Sequence, residues 1–175
     1  MLTRLFVPFQ TVGANTVHFD LFNAGGSGHI IELLSVVPVV SGANAVTGLV
    51  AVDIFLTRTS AVGTGGTAAT TAGTSLTAAT FSPVDWEGAI PDGITARLTP
   101  TGGATAGAVI GWQSLFTEET NGGSYNYVRD MVRLDCPMAP GVLVKPTTGV
   151  RVVQGSVASV GTVGYNVLFD LKPRG

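Results

Sequence analysis

The chain has 175 residues, of which only 11% are charged, and its formal net charge is −2. An ordinary soluble domain carries about 25% charged residues, so this chain has too few to cover its own exterior, and we expect much of that exterior to contact other protein. The scattered cations exclude the basic patch that nucleic-acid binding needs, and the single cysteine, Cys136, excludes an intrachain disulfide framework.

The sequence predicts an all-β protein, because runs of Val, Thr, Ile and Phe are separated by Gly, Asn, Pro and Ser. Such short strands predict a single antiparallel β-sandwich domain over residues 1–175, of the jelly-roll type with long Gly/Thr/Ala-rich loops. The predicted strands, in chain order, are Thr3–Gln10, Thr16–Phe22, His29–Val40, Leu49–Thr59, Gly93–Leu98, Ala108–Thr117, Tyr125–Leu134, Val150–Ala158 and Val163–Leu171.

Alternation along a strand predicts which side chains face the core. Three inward rows are predicted: Val50, Val52, Ile54 and Leu56; Ile110, Trp112, Ser114 and Phe116; and Val163, Tyr165, Val167, Phe169 and Leu171.

The uncharged stretch from Leu33 to Val52 is long enough to cross a bilayer as a helix. Pro38, Gly42 and Gly48 interrupt it, however, so we interpret it as a hairpin of two apolar strands. The first residues lack the long apolar segment of a signal peptide. We therefore expect neither a membrane partner nor a secretory leader.

Two segments are candidate arms. Residues 1–12 are a candidate N-terminal arm, and residues 60–80 are a loop or arm composed almost entirely of Thr, Ala and Gly. The second segment has too little apolar surface to order itself alone. It either orders against a neighbouring subunit or remains a mobile surface loop, and the sequence leaves both alternatives open.

Three groups of residues suggest chemistry, and each has a simpler structural interpretation. His18 and Asp20 are two apart on a strand, so their side chains are expected to share a face. With His29 and Glu32 they resemble a metal site, but hydrogen-bonded structure is the more common role. The glycine-rich Gly25–His29 segment lacks the helix and lysine of a phosphate loop. The carboxylates of Asp85, Glu87 and Asp92 frame a loop, as in a glycan hydrolase, although an interface loop is favoured. We therefore predict a non-enzymatic protein with no catalytic, cofactor or metal residues.

Two motifs resemble small virion proteins of tailed bacteriophages. One is the "LFN…GSG" turn of Leu21–Leu33, and the other is the "LTRT" strand of Phe55–Ser60 that leads into a Gly/Thr-rich loop. The resemblance covers roughly the first third of the chain. It implies a β-sandwich decoration or cement subunit on the capsid, often a trimer.

Composition and resemblance together predict a structural virion protein that stabilises the phage head by binding between neighbouring capsid subunits. Its expected location is the capsid surface, after synthesis in the host cytoplasm. The expected partners are copies of the same chain, with a trimer favoured, and the major capsid protein or another virion protein. The residues predicted at the interface are Leu2, Leu5, Phe6, Phe9, Trp86 and Pro91.

The alternative is a tail or fibre component that recognises a carbohydrate receptor. It predicts that Trp86, Trp112 or the Tyr125–Tyr127 stripe lies exposed in a groove.

Overall fold

The computed structural model describes residues 1–40, 49–70, 79–84, 90–102, 107–118, 130–132 and 141–174. The regular elements in these ranges are all strands, which confirms the prediction of an all-β fold. They are β1 (Leu2–Thr11), β2 (Val17–Asn23), β3 (His29–Val40), β4 (Leu49–Thr59), β5 (Thr67–Ala68), β6 (Thr80–Pro83), β7 (Ile94–Leu98), β8 (Val109–Glu118), β9 (Val142–Val144), β10 (Thr148–Gln154) and β11 (Thr162–Pro173). Among the residues described, no helix is long and apolar enough to cross a membrane.

The strands form two antiparallel sheets that pack face to face. The five-stranded sheet has the order β6-β1-β11-β3-β9, and the six-stranded sheet has the order β5-β7-β2-β10-β4-β8. The first four strands alternate between the sheets, and β11, β10 and β9 return beside them, which is the jelly-roll arrangement of two Greek keys. β5, β6 and β7 extend this framework at the edges. The predicted β-sandwich is therefore confirmed.

The core lies between the sheets and is built from the inward rows of the long strands. All five predicted residues of the β11 row are buried, and so are Val52, Ile54 and Leu56 of β4. Phe169 of β11 meets the ring of Phe81 edge to face, with centroids 6.2 Å apart. Such a geometry is favourable for aromatic pairs and joins β6, which lies beyond β1 at the edge of the same sheet, to the core.

The prediction for β8 was wrong at Trp112, where the strand faces the opposite way, although the predicted Ile110 does pack against the core. Leu115 and Gln113 point inward opposite Val52 and Ile54 of β4, whereas Trp112 is 59% exposed. Gly111 also faces inward, and a Cβ atom there would lie 2.3 Å from the Met131 carbonyl oxygen. The inward position therefore requires a glycine, which the hydrophobic pattern does not reveal.

Two other expectations are corrected by the strand pairing. Residues 2–11 are not an arm, because β1 lies between β6 and β11 with backbone pairing on both sides. Leu33–Val52 does not form a hairpin, because β3 and β4 belong to different sheets. The predicted Tyr125–Leu134 strand lies mostly outside the described residues, and Asp130–Val132, its described part, is not a strand.

The first half of the Thr/Ala/Gly-rich segment packs on the rest of the same chain. The Gly63 amide donates to Asp20 Oδ2 at 2.7 Å, and β5 pairs with β7 at the edge of the six-stranded sheet. Gly66 has a φ of +63°, and a Cβ atom there would lie 2.0 Å from the Leu98 carbonyl oxygen, so only glycine allows this approach. Residues 71–78, in the second half, lie outside the described part of the chain.

Candidate functional site

Asp20 lies in a buried polar cluster under the Gly63 segment. Its carboxylate accepts hydrogen bonds from two backbone amides, that of Gly63 at 2.7 Å and that of Arg97 at 3.0 Å. Burial raises the pKa of Asp20, while those amides and the charges of Arg97 and Arg151 oppose the shift. These hydrogen bonds hold residues 60–66 against the six-stranded sheet. The role of Asp20 is therefore structural.

His18 lies in a second buried cluster, between the two sheets. It is the extra residue of a β-bulge, since Phe19 pairs with Val152 and Val17 pairs with Val153. A hydrogen bond joins His18 Nδ1 to the hydroxyl of Tyr165 on the opposite sheet. Burial lowers the pKa of His18 to about 4, an effect that the Gln154 side chain opposes, so the ring is neutral at pH 7 and helps to join the sheets. Burial also raises the pKa of Tyr165.

The structure does not bring the four suggested metal ligands together. The bulge turns His18 into the core, whereas Asp20 lies under the Gly63 segment, so these two do not share a face as predicted from regular alternation. His29 Nδ1 bonds to the Ser27 carbonyl oxygen at 2.6 Å, and Glu32 pairs with Lys172 on the five-stranded sheet. A search of the described residues finds no cluster of three or more metal-ligating side chains.

Side-chain hydrogen bonds hold the glycine-rich turn in place. Asn23 Nδ2 donates to the carbonyl oxygens of His29 at 2.9 Å and Val144 at 3.1 Å, and Ser27 Oγ donates to Asn23 Oδ1 at 2.5 Å. A strand both precedes and follows the turn. Its geometry is therefore that of a structural connection between the sheets.

The suggested hydrolase site is outside what the structure describes. Asp85 and Glu87 fall in the undescribed range 85–89, as does Trp86, and Asp92 alone of the three carboxylates is described. The Tyr125–Tyr127 stripe and Cys136 also lie outside the described residues.

The outer face of the five-stranded sheet carries an apolar surface, which we call the apolar face. Cross-strand pairing places Phe6 of β1 beside Asn166 of β11, which pairs on its other side with Val37 of β3, and it places Gly164 beside Val39. Phe9 follows at the β1 bulge and is 49% exposed; a Cβ atom on Gly164 would lie 3.3 Å from its ring. The apolar face consists of Leu2, Phe6, Phe9, Val37, Val39 and Leu168.

The apolar face has a central depression. A groove of about 370 Å³ lies among Arg4, Ser35, Asn166 and Leu168. At one end of the face, Lys172 forms an ion pair with Glu32. This hydrogen bond raises the pKa of Lys172, with the charges of Glu32 and Asp170 acting in the same direction.

Three of the six predicted interface residues are gathered on the apolar face. Leu2 and Phe6 lie on the outward side of β1 with the exposed Arg4 between them, and Phe9 is exposed at the bulge. Leu5, by contrast, is fully buried in the core and presents no surface to a partner. Pro91 lies in the turn before β7 of the six-stranded sheet, away from the apolar face, and Trp86 is outside the described residues.

Sequence reasoning missed Val37, Val39 and Leu168. In β3 most consecutive residues are apolar, so alternation alone does not separate its inner from its outer positions. A signal was present in β11, where Leu168 falls between the predicted inward residues Val167 and Phe169.

The six-stranded sheet exposes a second distinctive surface. Trp112 of β8 pairs across the sheet with Phe55 of β4, and the adjacent pair is Asp53 with Ser114. Ser114 Oγ donates a hydrogen bond to Asp53 Oδ1. This surface combines exposed aromatic area with a carboxylate and a hydroxyl.

Compared with models of protein families, with curated proteins and with solved structures, the chain matches none of them.

Proposed function

We propose that the protein is a structural subunit of a phage particle, a decoration or cement protein that binds between neighbouring capsid subunits and to copies of itself. The observation that carries this proposal is the apolar face. The exposed Phe9 and a row of half-buried apolar side chains lie together on one outer face, as at many protein contacts.

We propose that the apolar face binds a second copy of the chain. With only 11% charged residues, the chain has few groups to keep a large exterior hydrated. Phe9 is 49% exposed and Phe6 is half-buried on the same face, so a contact between copies has apolar rings to bury. A stable contact of this kind buries roughly 800 Å² on each partner, and the resulting oligomer then attaches to the capsid shell.

The sequence resemblance gives the partner class. The "LFN…GSG" motif supplies β2, the glycine-rich turn and the start of β3, and the "LTRT" motif ends β4. The residues of these motifs form strands and a turn and contribute no reactive group. This is compatible with a protein whose activity is binding. The proposed function includes no catalytic step.

We expect Phe9→Asp to weaken self-association and shell binding. The substitution places a carboxylate where the contact would bury a ring, and burying an unpaired charge is strongly unfavourable. The measurement is co-sedimentation with capsid shells that lack the protein, together with sedimentation velocity of the free variant. We expect the affinity to fall by at least about tenfold.

Val109→Asp is the matched control. Val109 is 55% exposed, close to the exposure of Phe9, but lies on the six-stranded sheet. The control is expected to bind like the unmodified protein. Equal loss in both variants would point to a general effect of added charge, and unchanged binding in Phe9→Asp would remove the apolar face from the proposal.

A further inference from the structure

Trp112 is held in a position that core packing does not explain. Its side chain is 59% exposed, on the outer face of β8, the last strand in the described order of the six-stranded sheet. Phe55 stands directly across from it on β4. A large exposed ring beside a second, half-buried ring marks a contact surface more often than chance exposure.

Polar groups lie next to these rings on the same face. Asp53 and Ser114 form the neighbouring cross-strand pair, two residues along each strand and therefore about 7 Å from the ring pair. The Ser114 hydroxyl donates to one oxygen of the Asp53 carboxylate. Because a carboxylate has about four acceptor positions, Asp53 retains the capacity to accept further hydrogen bonds.

Gly155 keeps the surface beside them flat. A Cβ atom at this residue would lie 3.2 Å from the Phe55 ring and 3.5 Å from Asp53 Cβ, so the glycine leaves bare backbone there. Its amide donates to the Asp53 carbonyl oxygen at 2.8 Å and fixes the position. We call this surface the aromatic ledge; it consists of Asp53, Phe55, Trp112, Ser114 and Gly155.

We infer that the aromatic ledge binds a pyranose unit of a glycan. A sugar ring has a face of C–H groups with partial positive charge, which the negative face of an aromatic ring attracts. Its hydroxyl groups surround that face and can donate to the Asp53 carboxylate. A purely apolar protein partner would instead bury that carboxylate without compensation, and we therefore favour a sugar over a hydrophobic partner.

This inference is independent of the apolar face, which lies on the other sheet. The protein can hold its oligomer and shell contacts through the five-stranded sheet while the aromatic ledge remains open. A subunit with both surfaces would attach a particle to the polysaccharide of a cell envelope. An experiment can therefore contradict glycan binding by the aromatic ledge without contradicting self-association through the apolar face, and the reverse.

The test begins with an array of bacterial polysaccharides and oligosaccharides. A glycan that binds is then titrated into the Trp86→Phe variant, which leaves Trp112 as the only tryptophan. We expect Trp112 fluorescence to change on binding, Trp112→Ala to weaken binding by at least about tenfold, and Asp53→Asn to weaken it several-fold.

Leu143→Ala is the matched control, since it removes an exposed apolar side chain from β9 of the other sheet and lies outside the apolar face. It is expected to bind the glycan as the parent does. The inference is overturned if no glycan binds the unmodified protein, or if binding survives Trp112→Ala unchanged. It is also overturned if Trp112→Ala alters the oligomeric mass but not glycan binding, because the aromatic ledge would then be a protein contact.

Discussion

Replacing Asp20 by alanine is expected to lower the free energy of unfolding by about 3–4 kcal/mol, because two buried backbone amides lose their acceptor and each such loss costs about 1–3 kcal/mol. The amides are those of Gly63 and Arg97, at 2.7 and 3.0 Å from the carboxylate. Chemical denaturation at pH 7 gives the free energy. Hydrogen exchange at the Gly63 amide should accelerate more than exchange in the core strands.

Two further variants make this test specific. Asp20→Asn retains one acceptor oxygen, but its NH2 group faces one of the two backbone N–H groups, and two donors cannot pair. We therefore expect a decrease in the free energy of unfolding that is smaller than in Asp20→Ala but still measurable. Thr95→Ala changes an exposed residue on the neighbouring strand β7 and is expected to alter stability by less than about 0.5 kcal/mol. If the free energy of unfolding of Asp20→Ala differs from that of the unmodified protein by no more than this margin, the carboxylate does not stabilise the packing of residues 60–66.

Acidification is expected to destabilise the sandwich through His18. Its pKa is about 4 in the folded protein and 6.5 when the ring is free, so between these values the unfolded chain binds a proton that the folded protein does not. Stability therefore falls as the pH is lowered from 6.5 to 4, by about 3 kcal/mol, since each pH unit corresponds to about 1.4 kcal/mol. Below pH 4 this contribution changes no further.

The His18 contribution must be separated from that of Asp20, which has the opposite sign. The pKa of Asp20 is raised on folding, so the folded protein takes up a proton before the unfolded chain does, and stability rises as the pH falls through that interval. His18→Gln retains a hydrogen-bonding side chain but cannot become charged. The measurement is the difference between the two stability–pH profiles, together with an NMR titration of the His18 ring. Parallel profiles, or a ring that titrates near 6.5, would contradict the prediction.

The long strands could be predicted from the sequence because their side chains alternate or are apolar throughout. Both β3 and β4 have the predicted ends, and β11 shows the predicted inward row. By contrast, β5, β6 and β9 have only two to four residues, too few for a periodic pattern to be recognised. Their positions depend on pairing with distant strands.

The candidate surfaces were only partly predictable, for two physical reasons. On β8, the pattern of Trp112 and Ile110 suggests an inward face, but Gly111 must lie inward because the Met131 backbone approaches it. At His18 a bulge reverses the direction that regular alternation implies. Both effects arise from contacts between residues far apart in the chain.

Leu2, Phe6 and Phe9 were identified as interface residues from their position and apolar character, and the pairing of β1 does place them on one outer face. Leu5 was included in the same group because the segment was interpreted as an arm. Once β1 is part of a sheet, alternation sends Leu5 into the core.

The measurement that tests the central claim most directly is the mass of the purified protein in solution, with and without capsid shells, at protein concentrations from about 1 to 100 μM. We predict a mass that is a multiple of 17.8 kDa, with three copies favoured, and sedimentation of the oligomer with the shells. If the protein stays monomeric over the whole range and does not bind the shells, its charge-poor exterior and apolar face do not mediate assembly, and the central claim is contradicted.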